Sequence, residues 1–240
     1  MSPADHPDDR ASAIVAFLRR HANAANVEGM ARFGINPRNT LGIPIPLLRR
    51  IAREHGRDHD LAASLWCTDI HEAKIVASLV GDPRRLTARQ MDQWAGEFDS
   101  WDVCDQCCAN LFEDSPLAWP KALAWSRKKK EFMKRAGFVL MARLAVSSKE
   151  ADDSAFQSFF ERIEAESSDD RPMVRKAVNW ALRQIGKRNS LLQQQALAVA
   201  DRLRSRPDRS SRWIGSDAAR ELRGTTAKKI IEGHERKRGK

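Results

Sequence analysis

The sequence predicts an all-α fold, an α-solenoid of HEAT- or armadillo-like helical repeats with a concave basic groove, and three observations carry that reading. Ala, Leu, Arg, Glu and Gln dominate the chain, and β-branched alternation never persists long enough for a convincing strand. Turn signals recur at spacings suited to helical pairs: Pro37, Pro44 and Pro46, then Asp82-Pro83, Ser115-Pro116, Ser147-Ser148, Ser167-Ser168-Asp169-Asp170 and Pro207-Asp208. A short internal repeat places a charged residue before Ala or an apolar stretch at Lys74, Arg135, Lys176 and Asp217, and the last two intervals are both 41 residues. That period falls in the range of HEAT and armadillo units, whose paired helices stack because no one pair buries its apolar face alone. An irregular helical bundle is the alternative, since the match is short and only the later spacing is regular.

Taken in order, residues 1–10 are acidic and proline-bearing, which predicts a mobile N-terminal segment without the character of a secretory leader. Residues 11–223 then form a single solenoid domain, and 224–240, rich in Lys and Arg, a flexible basic tail. Winding 98–112 as a helix gathers Val103, Cys104, Cys107, Cys108 and Leu111 on one apolar side. Asp102, Asp105 and Ala109 point away, and Trp101 sits at the margin, one turn before Asp105. A ring and a carboxylate are thereby offered outside the core. The run 132–140 is apolar on nearly every side, yet contains Arg135, which there needs an anion: Asp105 or a phosphate. Winding 173–187 makes a stripe of Val174, Ala177, Val178, Ala181, Leu182 and Ile185. Lys176, Trp180, Arg183 and Lys187 fall together on its far side, a surface suited to sugar and phosphate. Packing of Trp180 on another helix layer is the alternative.

The chain has 42 Lys and Arg against 32 Asp and Glu, a formal charge of +10. This favours an anionic partner, of which nucleic acid is the commonest large example, although an Arg-rich solvated surface would also account for it. No apolar run approaches the ~20 residues of a transmembrane helix. The four cysteines do not look like a secreted disulfide framework, so a reducing, cytoplasmic location is expected, nucleoid-associated if the source is bacterial. Cys67-x3-His71 with Cys104-x2-Cys107 offers four zinc-type ligands, but the cysteines already fit an apolar helix face and zinc-knuckle loops are missing, so no metal is expected. Trp66, Trp94, Trp119, Trp125 and Trp213 are expected as packing residues. There is no glycine-rich phosphate loop, no G-x-S-x-G elbow and no H-E-x-x-H, and no cofactor is expected.

These residues resemble the AlkD-like DNA alkylation repair glycosylases, HEAT-like repeat proteins that remove cationic N3- and N7-alkylated purines, over roughly residues 25–220. Ser100-Trp101-Asp102-Val103-Cys104-Asp105 is similar to the family's Trp-Asp-x-x-Asp segment, which makes Trp101 the counterpart of a sugar-contacting Trp and Asp105 of the catalytic Asp. Lys134-Arg135-Ala136 is similar to the segment bearing the active-site Arg. Arg175 through Arg183 is similar to the segment bearing the second sugar-contacting Trp, here Trp180. Phe33-Gly34-Ile35 and Leu41-Gly42-Ile43 are similar to the N-terminal region, less specifically. The chain departs from the pattern at Ser100, where members can carry a second Trp, and at Phe33, where the aromatic is Tyr.

The resemblance implies a monofunctional glycosylase acting on duplex DNA with alkylated purines and reading it through the backbone, without a deep base pocket, and a monomer is expected. Asp105, Trp101, Trp180 and Arg135 would form the catalytic set, and Lys134, Arg175, Lys176, Arg183, Lys187 and Phe33 would contact DNA. The alternative is a non-catalytic solenoid that binds nucleic acid or a protein partner on the same surface.

Overall fold

The computed structural model describes residues 6–238, which cluster into two compact units, one up to Pro116 and one from Leu117 onward. Every regular element among the described residues is helical.

Unit 1 contains α1 (Pro7–Arg20), α2 (Ala24–Arg32), α3 (Ile45–His55), α4 (His59–Cys67), α5 (His71–Val80), α6 (Ala88–Gly96) and α7 (Trp101–Cys107). Asn23, Asp58 and Thr87 start α2, α4 and α6 by accepting first-turn N–H groups from Asn26, Leu61 and Gln90, respectively. Pro46 enters the first turn of α3, where no N–H is needed. The central element is α5, buried along almost its whole length and packed by α3, α4 and α7. Beside it Trp66 and Trp94 stack with ring centroids 4.1 Å apart, and Phe98 and Phe112 close the aromatic cluster.

The expected stripe of Val103, Cys104, Cys107, Cys108 and Leu111 is buried. The helix itself differs from the expected 98–112 span. Ser100 is extended, so α7 begins at Trp101, and 108–112 continue as a π-helical turn. The wider turn shifts the helix phase, and Phe112, outside the expected stripe, joins Cys107, Cys108 and Leu111 in the core.

Unit 2 contains α8 (Ala118–Trp125), α9 (Glu131–Ser147), α10 (Gln157–Glu166), α11 (Pro172–Gly186), α12 (Ser190–Arg204), α13 (Arg209–Arg223) and α14 (Thr225–Arg238). One row is α9 on α11 on α13, and α8, α10 and α12 form the row behind it. The repeat of 41 residues is the register of this stack: Ala136, Ala177 and Ala218 are buried at that interval, and so are Leu140, Ala181 and Leu222. Backbones come close where α8 meets α9, since a Cβ on Gly137 would lie 2.4 Å from the Ser126 nitrogen.

Both termini carry more structure than the sequence suggested. Pro7–Arg10 form the first turn of α1, where Arg10 pairs with Asp58 at 2.6 Å; the rest of the expected mobile segment, 1–5, lies outside the described residues. The basic tail expected to be flexible is helical over Thr225–Arg238, because Ala227 and Ile231, one turn apart, bury against α13; residues 239–240 lie outside the described residues. Among the described residues no helix is long and apolar enough to cross a membrane.

Candidate functional site

In unit 1 the Trp101–Asp105 turn is held from both sides. The Trp101 indole N–H donates to the Phe33 carbonyl at 3.0 Å, while the Phe33 side chain is 74% exposed. The loop between α2 and α3 is tied to the start of α7 by Asn36, whose side chain donates to Asp99 at 2.7 Å and whose backbone N–H donates to the Ser100 hydroxyl at 3.3 Å. Farther along, Leu41, Gly42 and Ile43 direct their N–H groups onto the buried Glu72 carboxylate at 2.9, 2.7 and 3.2 Å. Gly42 needs its φ of 75° and its missing side chain, because a Cβ there would lie 2.3 Å from the Asn23 carbonyl.

Asp105 is half-buried on the side of α7 away from Val103 and Cys107. Asp102, expected to point away with it, instead turns inward and accepts from the buried His71 ring at 2.8 Å. Burial opposes the charge on Asp102, but the hydrogen bond and charge of His71 outweigh it and hold the carboxyl below its ordinary range.

Against this turn lies a cleft of about 630 Å³, lined by Met30, Phe33, Ile43, Ile75, Trp101 and Gln106 among others, with His71, Glu72 and Asp102 in its wall. Sequence reasoning missed His71, Asp102 and Glu72 as parts of one site. Their partners lie about 30 positions away in the chain, and no local motif signals such pairing.

In unit 2 Arg135 is 6% exposed, as its apolar helix suggested, and donates to the Met173 carbonyl at 2.7 Å. Lys134, expected to contact DNA, is bound within the protein: its ammonium lies 2.5 Å from Glu166 and 3.1 Å from Asp169. Burial pushes the Asp169 carboxyl up, but Arg171 and Lys134 together bring it down to about 2.

The face of α11 is also divided differently from the expected grouping. Arg183 pairs with Glu221, which also binds Lys187 at 2.8 Å, and Asn179 donates to Asp217 at 2.7 Å. Arg175 heads this i, i+4 ladder against α13, its guanidinium 4.7 Å from the Trp213 ring centre. Arg183 and Lys187 are therefore paired with carboxylates of α13, sharing Glu221, with Asp217 3.9 Å from Arg183, while Lys176 stays exposed and Trp180 half-buried beside it. Trp213, expected as packing, is 37% exposed; Trp66, Trp94 and Trp125 are buried as expected, and Trp119 stacks on Phe159.

The comparisons agree with this architecture. A solved structure described as a new family of proteins related to the HEAT-like repeat DNA glycosylases, with affinity for branched DNA structures, superposes with a TM-score of 0.72 at 16% identity, covering 87% of this chain and 94% of that one. The likeness identifies the HEAT-like repeat fold. No curated protein matches the chain in sequence. The family model of the DNA alkylation repair enzymes matches residues 14–222, from the first helix of unit 1 to the last turn of α13, and the chain belongs to that family.

Proposed function

We propose that the protein is a DNA glycosylase that hydrolyses the N-glycosidic bond of cationic N3- and N7-alkylated purines in duplex DNA. The observation that carries this reading is the Trp101–Asp105 turn: a carboxylate and a ring one helical turn apart, on the uncored side of α7, in a chain of the alkylation repair family. An alkylated purine is already a cation, so its glycosidic bond is weak and the base leaves without protonation. What remains is the positive charge that grows on the deoxyribose. In this reading Asp105 stabilises that oxocarbenium and orients the water that attacks C1′. Trp101 offers the sugar an electron-rich face, and Trp180 and Arg135 take the roles that the resemblance gives them, a second sugar-contacting ring and a phosphate contact. Lys176 and Arg175 supply backbone contacts. Lys134, Arg183 and Lys187 contribute less, because carboxylates of the protein already neutralise them.

A second reading, a non-catalytic protein that binds branched DNA, is favoured by the description of the similar structure and fits the charge of +10 equally well. It gives Asp105 no purpose, since a carboxylate repels phosphate. Release of N7-methylguanine from methylated duplex separates the two. Release by the parent with loss on the order of 10²-fold in Asp105→Asn supports the glycosylase. No release by either, with tight binding to a four-way junction, supports the second reading.

A further inference from the structure

Where α9, α11 and α13 begin, unit 2 carries a basic rim that the excision chemistry uses only at Arg175. Before α9 the chain runs through Arg127, Lys128, Lys129 and Lys130, four consecutive cations with exposed side chains. Among the described residues no carboxylate pairs with Arg127, Lys128 or Lys129, in contrast to Lys134 one turn into the helix. The loop is fixed in place, because the Lys129 carbonyl accepts from the Arg171 guanidinium at 2.8 Å. One turn farther along α11, Arg175 lies 4.7 Å from the ring centre of Trp213, in the second turn of α13. These two contacts make the rim continuous, from the 127–130 loop across Arg171 and Arg175 to Trp213. Its acidic neighbours do not cancel it. Asp169 is held by Lys134 and Arg171, and Asp208 accepts the Ser211 N–H, which leaves Glu131 and Asp170 against the cations of the loop.

Trp213 and Arg175 indicate what the rim meets. Trp66 stacks on Trp94 and Trp119 on Phe159, whereas among the described residues no ring lies against Trp213, which is 37% exposed. Arg175 has no carboxylate partner among the described residues, and its Nε is buried without a hydrogen-bond acceptor. A guanidinium in that state is short of an anion, and the ring beneath it holds it ready for one. Phosphates answer the cations and an unpaired base answers the ring; an intact duplex offers no such base, because its bases cover one another's faces. Neighbouring helices 8–10 Å apart set roughly 16–20 Å between the ends of the rim, room for about five nucleotides at 3.4 Å each.

We propose that this rim binds a short single-stranded stretch of DNA, its phosphates along Arg127, Lys128, Lys129 and Arg175 and one unpaired base stacked on Trp213. The proposal goes beyond base excision at Asp105 and requires only that the chain binds DNA.

Tailed duplexes test this with the charge held constant. Fluorescence anisotropy compares the full chain on a blunt duplex, the same duplex with a tail of about five thymidines, and one with as many propanediol phosphates, which keep the charge and omit sugar and base. The thymidine tail should bind about tenfold more tightly than the propanediol tail. Trp213→Ala should remove that gain and Trp213→Phe restore part of it. Lys128→Ala combined with Lys129→Ala should weaken both tailed duplexes more than the blunt one and lower their salt slope by about one to two. All these side chains are exposed, and an unchanged melting transition verifies the fold of each variant. Equal affinity for the two tails, a gain that survives Trp213→Ala, equal weakening of blunt and tailed duplexes by the Lys variant, or no binding of any of these DNAs overturns the proposal. Release of N7-methylguanine from methylated duplex by the parent keeps the two ideas apart. Release without preference for the thymidine tail removes the rim and leaves the glycosylase. The preference without release keeps the rim and removes the glycosylase.

Discussion

Trp101 and Phe33 are joined by a hydrogen bond, from the indole N–H of one to the backbone carbonyl of the other at 3.0 Å, across 68 positions of sequence. The ring that the proposed mechanism sets against the sugar is thus aimed by the loop after α2. Trp101→Phe keeps a ring and loses this tether. It should cost about 1 kcal/mol of stability and lower excision, and Trp101→Ala should lower excision further. Urea denaturation and N7-methylguanine release measured side by side check this; equal release by Phe and Ala variants would remove the role of the ring.

Lys134 and Lys176 should separate by phenotype. Lys134→Ala leaves Glu166 with Arg162 and Asp169 with Arg171 but removes the ammonium that joins them, and should cost about 1–2 kcal/mol in denaturant unfolding. Lys176→Ala should leave stability within about 0.5 kcal/mol and reduce the salt slope of DNA binding by about one. A Lys134 variant with parent stability and a reduced salt slope would reverse the assignment.

Neutralisation within the α11–α13 ladder leads to a further expectation. Lys187→Ala should change the salt slope less than Lys176→Ala, because Glu221 already compensates Lys187. Titrations at four salt concentrations suffice, and equal slopes for the two variants would show that Lys187 leaves Glu221 for phosphate.

Asp169 ties stability to acid pH. Its folded-state carboxyl is lowered to about 2, so its contribution is complete above the ordinary value near 3.9 and is lost as pH falls from there through about 2. The size, allowing for solvent screening, is on the order of 1–2 kcal/mol. Urea midpoints between pH 5 and 2 should fall less steeply in Asp169→Asn than in the parent; parallel curves would count against it.

Glu72 organises the 41–43 loop through three backbone N–H groups. Glu72→Gln, which keeps one acceptor oxygen and loses the charge, should cost about 2–3 kcal/mol. A change under 0.5 kcal/mol in denaturant unfolding would show that the loop holds itself.

The sequence by itself determined the fold class and much of the register. Helical stripes at 103–111 and 174–185 are set by the period of 3.6 that any helix imposes, and the interval of 41 residues recurs because each helix of a stack must present the same small residues, Ala136, Ala177 and Ala218, to its neighbour. The Trp101–Asp105 spacing was legible for the same reason, being local. Tertiary structure alone decided which charges are spent. Lys134, Arg183 and Lys187 look like phosphate contacts in the sequence, but carboxylates 32 to 38 positions away neutralise them. Asp102 turned inward because His71, on another helix, meets it there, and the π-helical turn after Cys107 altered a phase that regular periodicity assumes. Periodicity reports which side of one helix faces the core; the partner of a charge depends on which helices the chain brings alongside, and that is settled by packing.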